Sequence, residues 1–238
     1  MNFAILLSGG TGSRMGADIP KQYIEVEGQP IIYYTLYNIL SYKDIKGIII
    51  VSAPEWKEYI TNQIHKLDMY LDDDFRVIFT LPGDNRQGSI FNGLNALKGA
   101  YELSDDDLVL VHDAVRPLLS AAQIDEYFGG VKGCDGLIPV LPMKDTVYFS
   151  NEGKKIDQLL DRSRIYAGQA PEIFNVIKYI DANKKLSYEE IMSINGSTEP
   201  AIIAGMDIKM VPGDEKNFKI TTPEDLERFK DIIRNRSN

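Results

Sequence analysis

The chain has 238 residues, 44% hydrophobic and 26% charged, which is enough apolar content for one large α/β domain with a substantial core. A formal net charge of −9 argues against non-specific binding to nucleic acid or anionic lipid. The lone cysteine, Cys134, excludes an internal disulfide, and the two histidines, His65 and His112, leave little for a histidine-built metal site. No apolar run reaches the roughly 18 residues of a membrane span, so a cytoplasmic protein with no membrane partner is expected.

Residues 2–8 read as a buried strand that runs into Leu7-Ser8-Gly9-Gly10-Thr11-Gly12-Ser13-Arg14-Met15-Gly16. Glycines at this density let the backbone turn sharply and approach a ligand closely. Successive free N–H groups can cradle phosphate oxygens, and Arg14 and Lys21 add full positive charge. The alternative is a plain glycine-rich surface turn. The spacing excludes both a P-loop, which needs Lys and a hydroxyl after its last glycine, and the dinucleotide fingerprint, which is one residue shorter.

A helix is expected over 30–40, a strand over 47–51, a helix over 55–67 and a strand over 75–79. Leu81-Pro82-Gly83-Asp84-Asn85-Arg86-Gln87-Gly88-Ser89 then opens a helix over about 88–100, a second strand, glycine turn and helix. Ser89 reads either as a ligand contact at the helix start or as a simple cap. A strand over 108–111 ends in His112-Asp113-Ala114-Val115-Arg116-Pro117. Asp113 there could hold a divalent cation such as Mg²⁺ against phosphates, or form a local salt bridge with Arg116. A helix over 120–132 and a strand over 136–140 follow.

Strands and helices alternating at this spacing predict a doubly wound, mostly parallel Rossmann-like sheet. Its carboxyl edge would gather the first loop, the Gly83 turn and Asp113, and that edge is where such sheets bind ligands. From about 141 the rhythm changes. Residues 144–150 and 156–160 read as an inserted β-hairpin turning at 151–153, an arm at about 141–168 that would pack on a second subunit. A strand over 164–167, helices over about 175–186 and 187–194, a strand over 206–211 and a capped helix from Pro223 to about 233 complete a single domain over 1–238.

These segments, together with Pro20-Lys21-Gln22, Lys144-Asp145-Thr146, Asp161-Arg162, Gln169-Ala170-Pro171 and Lys219-Ile220-Thr221-Thr222-Pro223-Glu224-Asp225-Leu226, occur in the order found in alditol-phosphate cytidylyltransferases. The chain resembles that family over nearly its whole length. The group includes enzymes acting on ribitol 5-phosphate and on 2-C-methylerythritol 4-phosphate. The resemblance implies transfer of a cytidylyl group from CTP to a polyol phosphate with release of pyrophosphate, with Mg²⁺, in a homodimer. It implies Arg14 and Lys21 as the catalytic cations. Nucleotide contacts would come from Leu7, Ser8, Gly9, Gly10, Thr11 and Gly12, from Gly83, Asp84, Asn85, Arg86, Gln87, Gly88 and Ser89, and from Ala114. Arg162 and Lys219, with Thr146, Thr198 and Arg116, would position the acceptor phosphate, Arg162 reaching across a dimer on the arm.

Some residues depart from the pattern. Leu7-Ser8-Gly9-Gly10 and Tyr166-Ala167-Gly168-Gln169 lean towards the ribitol type, whereas Ala114 suits the methylerythritol type. Pro200 in Ser197-Thr198-Glu199-Pro200-Ala201, and Glu172 where glutamine is common, fall in the half expected to bind the acceptor. Ribitol 5-phosphate is the preferred acceptor and methylerythritol 4-phosphate the alternative. A nucleotide-binding protein without catalysis is weighed against by the joint presence of Arg14, Lys21, Asp113 and Lys219.

Overall fold

The apolar run at the start forms β1 (Asn2–Leu7), and its side chains bury alternately on opposite faces. Ala4 and Leu6 join one core cluster, Phe3 and Ile5 another. A strand sealed on both faces belongs in the middle of a sheet covered by helices on each side. The computed structural model describes residues 1–10 and 19–237.

The first half alternates as expected. A small hairpin, β2 (Glu25–Val26) and β3 (Gln29–Pro30), is followed by α1 (Ile31–Leu40), β4 (Ile45–Val51), α2 (Lys57–Lys66), β5 (Arg76–Thr80), α3 (Arg86–Ala100), β6 (Leu108–Asp113) and α4 (Ala121–Gly130). The hairpin was not anticipated; two-residue strands are too short to show a period. Strands β6, β1, β4 and β5 lie side by side and all run parallel. Leu7 is in register with Asp113 on one side and Val51 on the other, and Val51 with Thr80, so these strands end at one level.

The second half is mixed rather than purely parallel. It comprises β7 (Gly136–Pro142), β8 (Val147–Phe149), β9 (Gln158–Leu160), β10 (Tyr166–Gly168), β11 (Glu172–Asn175), α5 (Val176–Lys184), α6 (Tyr188–Ser193), α7 (Glu199–Ile203), β12 (Ile208–Pro212) and α8 (Pro223–Ser237). β11 runs antiparallel between β6 and β7, β10 pairs antiparallel with the far part of β7, and β12 pairs parallel with β7. β11 escaped the sequence reading because all four of its residues are buried, so no alternation marks it. The strand expected over 164–167 starts later, at Tyr166; Arg162–Arg164 forms a 3₁₀ turn capped by Asp161.

The two faces carry separate cores. One packs α1, α2 and α4 on Leu6, Ile48, Ile50 and Leu110; the other packs α3, α5 and α7 on Ile5, Ile49, Val109 and Phe174. Each fully buried side chain of this size contributes about 1.5–3 kcal/mol. A third cluster seats Phe229 and Ile233 of α8 against Val26, Ile31, Val115 and Ile220, beside the end of β6. The β8–β9 hairpin forms where expected as a separate two-stranded sheet, and leaves Tyr148, Phe149, Ile156 and Leu159 exposed. Its connection is longer than a three-residue turn. It closes through Asp157, which accepts from the Asn151 backbone N–H at 2.7 Å, and Ser150, whose Oγ accepts from Gly153 at 3.0 Å. No helix among the described residues is long and apolar enough to cross a membrane.

Candidate active site

A cleft of about 690 Å³ opens at the carboxyl ends of β1, β5 and β6. Its floor begins where β1 stops. Ser8 N–H still donates to the Val51 carbonyl at 2.8 Å and Ala114 N–H to the Leu7 carbonyl at 3.0 Å, so both chains leave the sheet under control. Gly9 must be glycine for packing reasons: a Cβ there would lie 2.5 Å from the Pro82 ring. The loop is then tied down by Gln22, whose Nε2 donates to the carbonyls of Ser8 at 2.7 Å and Gly10 at 2.9 Å. Tyr23 adds a hydroxyl contact to Ser8 Oγ at 3.1 Å and stacks on Trp56. Gln22 thereby fixes the start of the glycine loop, a role its sequence position did not suggest. Lys21, its neighbour, lines the cleft with Leu7, Ser8, Gly9 and Gly10. The expected contacts Thr11, Gly12 and Arg14 lie outside the described residues.

The opposite wall is the turn into α3. Asn85 is the N-cap, its Oδ1 accepting from Gly88 N–H at 2.7 Å, so the helix starts at Arg86, not near 88. Ser89 is therefore not the cap. Its hydroxyl accepts from Gly83 N–H at 3.0 Å and donates to the Asn85 carbonyl at 2.9 Å, which closes the turn on itself. Gly83 has no room for a side chain, since a Cβ would meet the Gly88 carbonyl carbon at 2.4 Å. Gly83, Asp84, Asn85, Arg86 and Ser89 line the cleft; Gln87 and Gly88 do not. Gln87 turns into the core and donates to Asn183 and the Tyr179 hydroxyl.

Between the walls lies a charge network. Asp113, 6% exposed, pairs with Arg86 at 3.2 Å, Lys219 at 3.0 Å and Arg116 at 3.6 Å. Burial alone would raise its pKa; Arg86, Lys219 and Arg116 instead hold the carboxyl well below the usual carboxylate range. Burial disfavours the charged Arg86 guanidinium, but Asp113 and Glu172 more than offset this and raise its pKa. Arg116 donates to the Asn217 carbonyl at 2.7 Å, and His112 beneath it donates from Nε2 to the Arg116 carbonyl at 3.0 Å. Burial pulls the His112 pKa down to about 4, so the imidazole is neutral.

The salt-bridge alternative describes Asp113 as found, with two further cations. Both of its oxygens face cations, and among the described residues no group of three or more His, Cys, Asp or Glu side chains could hold a metal ion. The described side chains therefore do not fit a protein-built cation cage.

The expected acceptor residues divide. Lys219 lines the cleft, with Thr221 beside it, and Arg116 joins Lys219 on Asp113; Ala114, expected as a nucleotide contact, is buried off the cleft lining with its carbonyl accepting from the Thr35 hydroxyl. Arg162 and Thr146 are exposed on the arm and do not line the cleft; Arg162 donates to the Lys144 carbonyl at 2.6 Å. Thr198 sits at the N-cap position of α7 without a side-chain cap bond. Thr221 and Glu172 were missed as site residues; Glu172 had shown only as a departure from the family pattern.

Known proteins resemble this chain over nearly its whole length. A ribitol-5-phosphate cytidylyltransferase of Lactiplantibacillus plantarum is 31% identical over 238 residues, covering all of both chains. A 4-diphosphocytidyl-2C-methyl-D-erythritol synthase from Anaerococcus prevotii has a TM-score of 0.79 at 26% identity, covering 98% of this chain and 96% of its own. A 2-C-methyl-D-erythritol 4-phosphate cytidylyltransferase from Francisella tularensis has a TM-score of 0.73 at 25% identity over 96% and 97%. The 2-C-methyl-D-erythritol 4-phosphate cytidylyltransferase (IspD) family model matches residues 3–235, so the chain belongs to that family and is a CTP-dependent cytidylyltransferase.

Proposed function

We propose that the acceptor is D-ribitol 5-phosphate and the products are CDP-ribitol and pyrophosphate. The observation that carries this reading is the relative of that name, aligned over the full length of both chains at 31% identity. Methylerythritol 4-phosphate is the second reading, favoured by the family model and by a solved structure at 26% identity.

An acceptor phosphate oxygen attacks the α-phosphorus of CTP in line, forming the new P–O bond as the bond to pyrophosphate breaks. The nucleophile is already anionic, so no general base is needed; positioning and charge stabilisation do the catalysis. Arg14 and Lys21 neutralise charge developing on the α-phosphate and the leaving pyrophosphate. The glycine loop and the backbone of the Gly83–Ser89 turn hold the nucleotide, Asn85 and Ser89 by shaping the turn, while the Arg86 side chain turns away to Asp113, which it shares with Lys219. Lys219 takes the acceptor phosphate, and Arg162 with Thr146 completes that pocket from a second protomer. The arm's exposed Tyr148, Phe149, Ile156 and Leu159 support such a homodimer. Thr198 and Arg116 set the edges of the acceptor pocket. Magnesium is proposed to enter on CTP, because the described residues form no cage for it. We place the enzyme in the cytoplasm, where CTP is available.

Pyrophosphate release with CTP and Mg²⁺ against ribitol 5-phosphate, methylerythritol 4-phosphate, glycerol 3-phosphate and hexose 1-phosphates tests the acceptor. Release with ribitol 5-phosphate at the highest kcat/KM is expected. Release with methylerythritol 4-phosphate alone would replace ribitol by that substrate.

A further inference from the structure

The turn that opens α3 is bound to the second half of the chain at consecutive positions. Asp84 accepts from the Tyr188 hydroxyl at 3.0 Å, Asn85 Nδ2 donates to the Ile191 carbonyl at 2.6 Å, Arg86 faces Glu172 at 3.5 Å, and Gln87 donates into the Tyr179–Asn183 pair. Only one of these links is charged on both sides and touches a side chain on the cleft wall, that of Glu172 with Arg86.

Glu172 is the first residue of β11 and is 7% exposed. One carboxylate oxygen accepts the Ser197 hydroxyl. The other has no hydrogen bond and faces the Arg86 guanidinium. Ser197 precedes Thr198, the N-cap of α7, and its carbonyl accepts from the buried Tyr179 hydroxyl at 2.6 Å. Glu172 thus stands between a fixed turn and a partly exposed guanidinium. A buried carboxylate without full pairing is costly, so its position needs an explanation beyond stability.

Charge balance supplies one. Asp113 is shared by Arg86, Arg116 and Lys219. Any acceptor phosphate that binds Lys219 competes with Asp113 for it. Were Arg86 held by Asp113 alone, its place would shift with that competition. A second carboxylate on the far side of the guanidinium holds Arg86 on the wall independently of Lys219.

We propose that Glu172 is a positioning residue for the acceptor phosphate, acting through Arg86: it anchors the guanidinium to the Ser197 turn, so that Arg86 and Lys219 present a fixed pair of cations to the incoming phosphate. This rests on the cytidylyl-transfer reading but not on which polyol is the acceptor. No role is asked of Glu172 in binding the nucleotide.

The test is steady-state kinetics of Glu172→Gln, Arg86→Ala and the double variant, using the best acceptor of the wild-type panel. Glu172→Gln should raise the acceptor KM about tenfold and leave the CTP KM within about twofold, the melting temperature being followed alongside. The double variant should be no worse than Arg86→Ala, since Glu172 acts through that residue. Ser197→Ala, which cuts the anchor without removing the buried charge, should raise the acceptor KM about threefold. An unchanged acceptor KM in Glu172→Gln, additive losses in the double variant, or a CTP KM rising in step with the acceptor KM would each overturn the proposal. Absence of pyrophosphate release by the wild type with every acceptor would instead strike at the transfer reading itself. In that case competition of inorganic phosphate for the site, followed by ³¹P line broadening, replaces KM: broadening retained in Glu172→Gln refutes the anchor, and broadening lost supports it.

Discussion

The two walls of the cleft are built by different means. The wall proposed to hold the nucleotide is made largely of backbone: a glycine loop pinned by Gln22 and a helix turn closed by Asn85 and Ser89, both at the ends of parallel strands. The side proposed for the acceptor relies on polar and charged side chains brought from far apart in the chain, Lys219 in the cleft and Arg162 and Thr146 out on the arm. Backbone walls are rigid, and their register is set by the sheet. Side-chain walls depend on pairing and on assembly, which makes them adjustable. A family whose members share CTP and differ in polyol would be expected to vary the second kind of wall and keep the first.

Asp113 stands at the joint, and its loss should have the largest effect. Asp113→Asn leaves Arg86, Arg116 and Lys219 without their shared anion. Arg86 and Lys219 are partly exposed, so water screens some of the loss, and a destabilisation of about 3 kcal/mol in chemical denaturation is expected, with activity falling as well. Because its pKa is depressed in the folded state, the stabilisation from Asp113 is present above about pH 4 and is lost as pH falls through the depressed value. A variant of wild-type stability would mean the two walls are not joined here. Next in size is Lys21→Ala, on the nucleotide wall. It should lower kcat by about 100-fold, close to 2.7 kcal/mol of transition-state stabilisation. A change confined to KM would make Lys21 a binding group only.

The same difference explains what could be read in the residues beforehand. Gly9 and Gly83 are forced by close approaches to Pro82 and Gly88, so the nucleotide wall leaves a mark in the composition of short segments. The parallel strands β1, β4 and β6 are apolar runs bounded by turns, which is why a parallel sheet with a carboxyl-edge cleft was expected. Gln22 left no such mark, because an amide that bonds two carbonyls looks like any other until the loop closes around it. Glu172 sits at the start of a four-residue strand buried on both faces, where neither period nor charge pattern announces a strand. Its partners Arg86 and Ser197 are 86 and 25 positions away in sequence, so only the folded sheet brings them together.

His112 sharpens the comparison from below, since it supports the turn that carries Arg116 without touching the cleft. The neutral ring is buried, and its folded-state pKa is pulled to about 4, below the usual 6.5 or so. The unfolded chain therefore binds a proton more readily between those values, and stability falls as pH is lowered from about 6.5 towards 4. From pH 7 to pH 5 the His112 contribution amounts to about 2 kcal/mol of unfolding free energy. His112→Gln keeps an N–H donor for the Arg116 carbonyl and should reduce the acid-induced loss by about that amount in denaturation curves at the two pH values. An identical pH dependence in the variant would show that the imidazole does not titrate on unfolding.

The smallest effect is expected at Arg162, and it is the one that asks whether the acceptor wall is complete in a single chain. Within one protomer its guanidinium bonds the Lys144 carbonyl at the foot of the arm and lies off the cleft lining. If the arm of a second protomer supplies it, Arg162→Ala should raise the acceptor KM about tenfold, some 1.4 kcal/mol, with the CTP KM and the melting temperature unchanged. Replacing Phe149 and Leu159 on the arm's exposed face by serine should lower the sedimentation mass to that of one chain and reproduce the same KM shift. Arg162→Ala should then add nothing to the serine variant, because the residue is already absent from the site. Additive losses would place Arg162 at its own protomer's cleft, and the acceptor wall, like the nucleotide wall, would belong to one chain alone.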